Sequence, residues 1–205
     1  MENGFETNNA ELLGTVLTEL AESHKSYGET FYHFILGVAR KSGYVDEIPI
    51  IISQRLIWNA RMEPGIRVWI NGQIRTYNEV GEGRNKLNVT VFAREFRLCG
   101  GGREDGTDEN RVCLTGFLCK KPIPRVSPLG REICDMMLAV NRMYNKSDYI
   151  PCIAWGRNAG YAGGLDVGSR VVIAGRMQSR AYRKRDEEGN VAIKVAYEVS
   201  VLKME

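Results

Sequence analysis

Displacing the 205-residue chain by 102 positions lays it onto itself. Gly14 falls on Gly116, Leu36 on Leu138, Val38 on Val140, Arg40 on Arg142, Ile48-Pro49 on Ile150-Pro151 and Arg55 on Arg157. One inserted residue later, Gly65 meets Gly168, Arg67 meets Arg170, Val68 meets Val171 and Gly72 meets Gly175. One matched pair means little, but a constant displacement across separated blocks marks a duplication, and a duplicated chain folds as two copies of one unit. With 43% apolar residues, each copy can bury a small core. Between the copies runs Cys99-Gly-Gly-Gly-Arg-Glu-Asp-Gly-Thr-Asp-Glu109, rich in glycine and acid, which reads as a flexible linker. The expected organisation is an N-terminal domain over 10–98, a linker over 99–109 and a C-terminal domain over 110–205.

The local pattern in each copy is β. Val191, Ile193, Val195, Tyr197, Val199 and Val201 alternate with Ala192, Lys194, Ala196, Glu198 and Ser200, a period of two that predicts one buried and one wet face. Arg170–Met177 is a short β-branched run, and Asp186-Glu-Glu-Gly-Asn190 supplies hairpin residues. Residues 111–118, 133–141 and 149–155 read as three more strands, and 157–164 as a short, glycine-broken helix. Five strands with a short helix between the third and fourth is the order of a five-stranded Greek-key OB barrel, although periodicity alone leaves a generic small β-barrel open. The fold class expected is therefore all-β, two tandem OB barrels, each with that helix.

Charge separates the halves. Residues 1–109 hold 12 Lys and Arg against 16 Asp and Glu, whereas 110–205 hold 16 against 9, so positive charge gathers where a polyanion could use it. No run approaches the length of a membrane span and the N-terminus has neither a basic start nor an apolar block, which points to a cytoplasmic protein. The five cysteines Cys99, Cys113, Cys119, Cys134 and Cys152 have no C-x-x-C spacing and read as reduced thiols rather than a disulfide frame or a metal site. Catalysis has little support. The two histidines, His24 and His33, lack a recognisable Ser, Cys or carboxylate partner, and the glycine-rich stretches at 100–102 and 160–164 are not followed by Gly-Lys-Ser/Thr. Asp186-Glu187-Glu188 on a hairpin tip point in different directions and read as solvated charge. No catalytic residue, metal or cofactor is expected.

Asn110-Arg-Val-Cys-Leu-Thr-Gly-Phe-Leu118 followed by Pro124-Arg-Val-Ser-Pro-Leu-Gly130 resembles the opening of the bacterial single-stranded DNA-binding protein family. The likeness continues through Met137-Leu-Ala-Val-Asn-Arg142, Ile153-Ala-Trp-Gly-Arg157, Gly168-Ser-Arg-Val-Val-Ile-Ala-Gly-Arg176 and the closing strand, over about 110–202; across 12–98 it is faint and rests on the repeat. The resemblance implies sequence-tolerant binding of single-stranded DNA in replication, recombination or repair. Positions where the family places stacking aromatics hold Tyr144, Tyr149, Trp155 and Tyr182, and around them lie Arg125, Arg142, Lys146, Arg157, Arg176, Arg180, Arg183, Lys184 and Arg185 as phosphate-binding candidates. Such binding needs flat π-faces and cations along one groove, and the second copy supplies both. Singly, Trp155 reads equally as a core residue, Tyr149 and Tyr182 as strand-edge tyrosines, and Arg183-Lys-Arg185 as a solvated tip; their joint placement favours the groove.

In the first copy the matching positions are Ser42, Glu47, Ser53 and Glu79, with Tyr44 and Tyr77 near two of them. This predicts a first domain that has lost most of the platform and serves assembly or partner contact. The family commonly carries an acidic C-terminal tail that recruits partners, whereas this sequence stops at Val201-Leu-Lys-Met-Glu205, so recruitment through such a tail is not expected. Four barrels per assembly is the family's habit, which implies a homodimer of this two-barrel chain. The alternative is an OB interaction module of a primosome-like assembly, with DNA contact secondary.

Overall fold

The computed structural model describes residues 7–80, 85–99, 107–185, 189 and 191–205. The first copy contains β1 (Asn8–Val16), β2 (Ala21–Ser26), β3 (Glu29–Ala39), β4 (Val45–Ser53), β5 (Arg67–Val80) and β6 (Asn85–Leu98). The second contains β7 (Glu109–Leu118), β8 (Ile123–Val126), β9 (Glu132–Arg142), β10 (Lys146–Trp155), helix α1 (Arg157–Gly163), β11 (Arg170–Arg185) and β12 (Val191–Met204). Of the expected linker, residues 100–106 lie outside the described residues, as do 186–188 and 190 of the expected hairpin.

Pairing closes on itself twice. β1 pairs with β3, β3 with β4, β4 in parallel with β6, β6 with β5, and β5 with β1. The second ring repeats this as β7, β9, β10, β12 and β11, with β10 and β12 parallel. That is the five-strand OB order, and the all-β tandem expectation holds. Two details of it do not. Each copy has a sixth strand, β2 or β8, paired only along the outer side of β3 or β9, because the segment between the first and second barrel strands is long enough to fold back as a ribbon. The first copy also has no helix matching α1: residues 54–59 are turns, Gln54-Arg-Leu-Ile-Trp-Asn59, where the second copy has the small residues Ala159 and Ala162 buried under the helix.

Strict alternation builds the cores. In β1 every second residue, among them Ala10, Leu12 and Val16, is buried, and Ile48, Ile50 and Ile52 do the same in β4. Two glycine pairs from the repeat explain why the displacement is so regular. A Cβ on Gly14 would lie 2.3 Å from the carbonyl oxygen of Gly37, and one on Gly116 2.5 Å from that of Ala139. Gly72 and Gly175 each sit at a bulge, 2.3 and 2.4 Å from a partner-strand carbonyl. These are close backbone crossings that only glycine permits.

The two barrels share one sheet. β1 and β7 pair antiparallel with Ala10 opposite Val112, residues 102 apart, so the junction has local two-fold symmetry. Its contacts come in matched pairs. Asn8 exchanges two hydrogen bonds with the backbone of Ile74, and Asn110 does so with Met177, at 2.7–2.9 Å. Asp46 accepts from the backbone N–H of Ser179 at 2.9 Å, and Asp148 from that of Thr76 at 2.8 Å.

In the last strand of the second copy the expected alternation fails over 191–195, where every residue is exposed, Ile193 at 75%. There β11 and β12 extend past the barrel as a two-stranded arm, so the period of two survives without a core to bury it. The β11 run foreseen as 170–177 continues to Arg185 for the same reason.

Candidate nucleic-acid interface

The outer face of the second barrel is set by β10. Ile150, Cys152 and Ala154 point inward, which turns Tyr149, Pro151 and Trp155 outward, with Ile153 on the same side of the strand but buried at 2% exposure. Register carries the face sideways. Ile153 lies opposite Ser200 of β12, whose neighbours in register on β11 are Arg176, then Gln178, Arg180 and Tyr182 two residues apart. On the other flank Ile133, Asp135 and Met137 of β9 lie opposite Trp155, Ile153 and Pro151, and Arg125 of β8 lies opposite Ile133.

Three of the four aromatic candidates, Tyr149, Trp155 and Tyr182, thus share one surface. Tyr149 is 49% exposed. Trp155 is half-buried and its Nε1–H donates to Ser200 Oγ at 3.1 Å, which fixes the ring against β12 with one face outward rather than in the core. Tyr144 stands apart at the β9–β10 hairpin tip, 87% exposed, with φ at +62°.

The cations divide into two groups. Arg125 pairs with Asp135, Arg142 lies 3.6 Å from Asp148, and Arg180 donates from Nε to Glu198 at 3.2 Å. Arg176 is turned toward the junction, where it lines a cleft with Arg40, Asp46 and Asn110; burial, reinforced by Arg40, holds its pKa below the usual guanidinium value. Lys146, Arg157 and Arg183 are exposed and make no ion pair among the described residues. The side chains of Lys184 and Arg185 lie outside the described residues. The carboxylates Asp135 and Glu198 escaped the sequence reading because each lies far along the chain from its arginine, and only the register of β8–β9 and β11–β12 brings them together.

Tyr44 belongs to the junction. Its ring packs under the Arg40 guanidinium at 4.5 Å and its hydroxyl donates to the Ser179 carbonyl at 3.4 Å. Among the described residues there is no cluster of His, Cys, Asp and Glu able to hold a metal ion, all five cysteines are free, and no helix is long and apolar enough to cross a membrane.

The family model for the single-strand binding protein family matches residues 109–204, from the first residue of β7 to the last of β12. The second barrel is similar to that family from end to end. An 84-residue stretch of the chain is 36% identical to a single-stranded DNA-binding protein of Clostridium tetani, covering 38% of this chain and 58% of that one. A stretch of 83 residues is 37% identical to single-stranded DNA-binding protein A of Bacillus subtilis, covering 37% and 48%. The chain therefore spans about half the length of the curated relatives it matches. The fold likeness is wider than the sequence likeness. The solved single-stranded DNA binding protein of Thermus aquaticus superposes with a TM-score of 0.71 over 97% of this chain and 91% of that one, at 23% identity, so the fold likeness extends across both barrels.

Proposed function

We propose that the chain binds single-stranded DNA without reading its base sequence, on the outer face of the second barrel. The observation that carries this is the joint placement of Tyr149, Trp155 and Tyr182 on one outer surface of the barrel that matches the single-strand binding family. Bases stack on these rings, and Tyr144 at the hairpin tip extends the platform by one position. Lys146, Arg157 and Arg183 neutralise phosphates, with Lys184 and Arg185 continuing the cationic edge beyond the described side chains. Arg125 and Arg180 keep spare guanidinium N–H groups while their carboxylates hold them in place, so they orient toward the strand as donors rather than as free charge. Arg142, held by Asp148 at the junction, helps position the barrels, and Arg176 faces the junction cleft rather than the strand.

No covalent chemistry enters this reading. Trapping is mass action, and the protein works as a cytoplasmic, nucleoid-associated strand binder in replication, recombination or repair. Two chains would bring four barrels together in a homodimer.

Quenching of intrinsic fluorescence on titration with oligo-dT tests it. Binding should weaken steeply with salt, by roughly −0.7 in slope per phosphate contacted. Trp155→Ala combined with Tyr144→Ala should lose about 1–3 kcal/mol per stacked base. Absence of binding at low salt overturns the proposal and leaves the interaction-module reading in its place.

A further inference from the structure

The local two-fold symmetry of the junction relates two clefts between the barrels, and only one of them is filled. On one side Gln73, Arg75, Arg94, Asn141, Arg142 and Met143 leave a space of about 40 Å³. On the other, Ala39, Arg40, Lys41, Asn110, Arg176 and Leu202 wall a cleft of about 800 Å³. The walls correspond residue by residue. At the displacement of 102, Asn141 corresponds to Ala39, Arg142 to Arg40 and Met143 to Lys41, and since Gly72 matches Gly175, Gln73 corresponds to Arg176. Ile51 lies opposite Phe92 as Ile153 lies opposite Ser200, so Arg94 of β6 corresponds to Leu202 of β12.

These exchanges empty one cleft and charge it. Gln73 is buried and accepts from Arg75 Nη2 at 2.6 Å and from Arg94 Nη2 at 3.1 Å, which closes the filled side. In the open cleft an arginine replaces that acceptor and a leucine replaces one of its donors. Arg176 consequently makes no ion pair among the described residues, and its Nε–H is buried without an acceptor. A buried donor with no acceptor marks a place for one. The carboxylates of the cleft are already taken. Asp46 holds Arg40 and the Ser179 N–H, and Asp108 holds Arg67 and the Ala39 N–H, both at 2.7 Å. Asp46 also draws on Arg176 through space, but the repulsion from Arg40 outweighs that attraction. Lys41 is exposed and likewise makes no ion pair among the described residues. Arg176 and Lys41 thus leave the cleft with two uncompensated positive charges.

We infer that the open junction cleft is a site for a phosphate dianion, free or as a small phosphomonoester, held by the Arg176 guanidinium and the Lys41 ammonium. Two cations match the nearly two negative charges of such a group, whereas an internal phosphodiester of a DNA strand carries one. The cleft has room for an organic group beyond the phosphate, and Leu202, 68% exposed, gives that group an apolar wall. Tyr149, Trp155 and Tyr182 do not line it, so the site stands independently of the function proposed above. Lys41 follows β3 of the first barrel and Arg176 lies on β11 of the second. An anion held by both ties the barrels together and stabilises the folded chain by mass action.

Thermal unfolding of the full chain tests this with inorganic phosphate and with thymidine monophosphate, each compared with chloride at matched ionic strength. At about ten times its dissociation constant, phosphate should raise Tm by about 2–4 °C. Roughly tenfold tighter binding of the nucleotide identifies a phosphomonoester as the ligand, and equal binding identifies free phosphate; either result supports the site. Arg176→Gln, which copies Gln73, and Lys41→Met, which copies Met143, should each remove the rise. Because Lys41 is exposed, its replacement separates loss of the anion from loss of packing. An oligo-dT with a 5′-hydroxyl, which offers diesters alone, should leave the phosphate bound, as read by the width of its phosphorus NMR line. No rise with either ligand, or a rise retained in either variant, overturns the site. Displacement of phosphate by that oligomer overturns it as well, and assigns the cleft to the path of the strand.

Discussion

A methyl group cannot stand at position 116. The Cβ of Gly116→Ala would meet the Ala139 carbonyl at 2.5 Å, and that oxygen belongs to a ladder strand with no room to withdraw. We expect Gly116→Ala to destabilise the fold by about 1–3 kcal/mol, read as a lower urea midpoint with an unchanged slope. Thiols offer a second check. Burial, reinforced by Glu198, pushes the Cys152 thiol far above the usual range, and burial raises Cys134 likewise, whereas Cys113 is exposed on β7. At neutral pH, labelling with a thiol-specific reagent should modify Cys113 rapidly and reach Cys134 and Cys152 only when denaturant opens the barrels. At this scale the shared face of Tyr149 and Trp155 was legible in the sequence, because they are six residues apart on one strand and a period of two puts them on one face. The contact of Phe31 with Phe92 across Ser53 in the first barrel, ring centroids 5.6 Å apart, was not: 61 residues separate them, and their meeting depends on a serine between them that carries no signal of its own.

Individual elements show where periodicity informs and where it misleads. The alternation of β12 correctly signals a strand, yet its first five residues bury nothing, since alternation reports pleat and not the presence of a partner layer. Nearer the barrels, the β5–β6 and β11–β12 arms lie against the opposite barrel, where the carboxylates Asp148 and Asp46 clasp Thr76 and Ser179. Each carboxylate is 1% exposed; Asp46 takes two hydrogen bonds from Arg40 at 2.6 Å and one from Ser179 N–H, and Asp148 takes Arg75 Nη1 and Thr76 N–H. Asp148→Asn keeps the shape but removes the charge that the guanidinium groups of Arg75 and Arg142 share. A loss of about 1–3 kcal/mol in stability should follow, with hydrogen exchange quickening first at Thr76 and its arm. Uniform exchange across the protein in that variant would count against a local clasp. Neither aspartate stood out in the sequence, although both obey the displacement of 102, because a buried carboxylate looks like any other polar residue at a strand's start.

For the whole molecule, the repeat pointed to two units of one kind, and the local β pattern of the second copy supplied the five-strand order that both rings follow. What it could not convey is that the units fuse into one sheet through β1 and β7, a pairing between segments that each looked like the opening of a separate domain. Light scattering should return twice the 23.1 kDa chain mass if two chains supply four barrels, and the chain mass alone if they do not. The covalent join has a consequence for inheritance. In an assembly of identical subunits every substitution is written into both halves of a symmetric interface at once, so a change useful on one surface must be tolerated on the other. Here a single peptide chain holds Ser53 with Phe92 in one half and Trp155 with Ser200 in the other, a mixed pairing that no symmetric dimer can encode. Duplication followed by fusion releases the two halves from copying each other, and selection can then act on each groove alone while the paired glycines and aspartates, needed by both, stay locked in step.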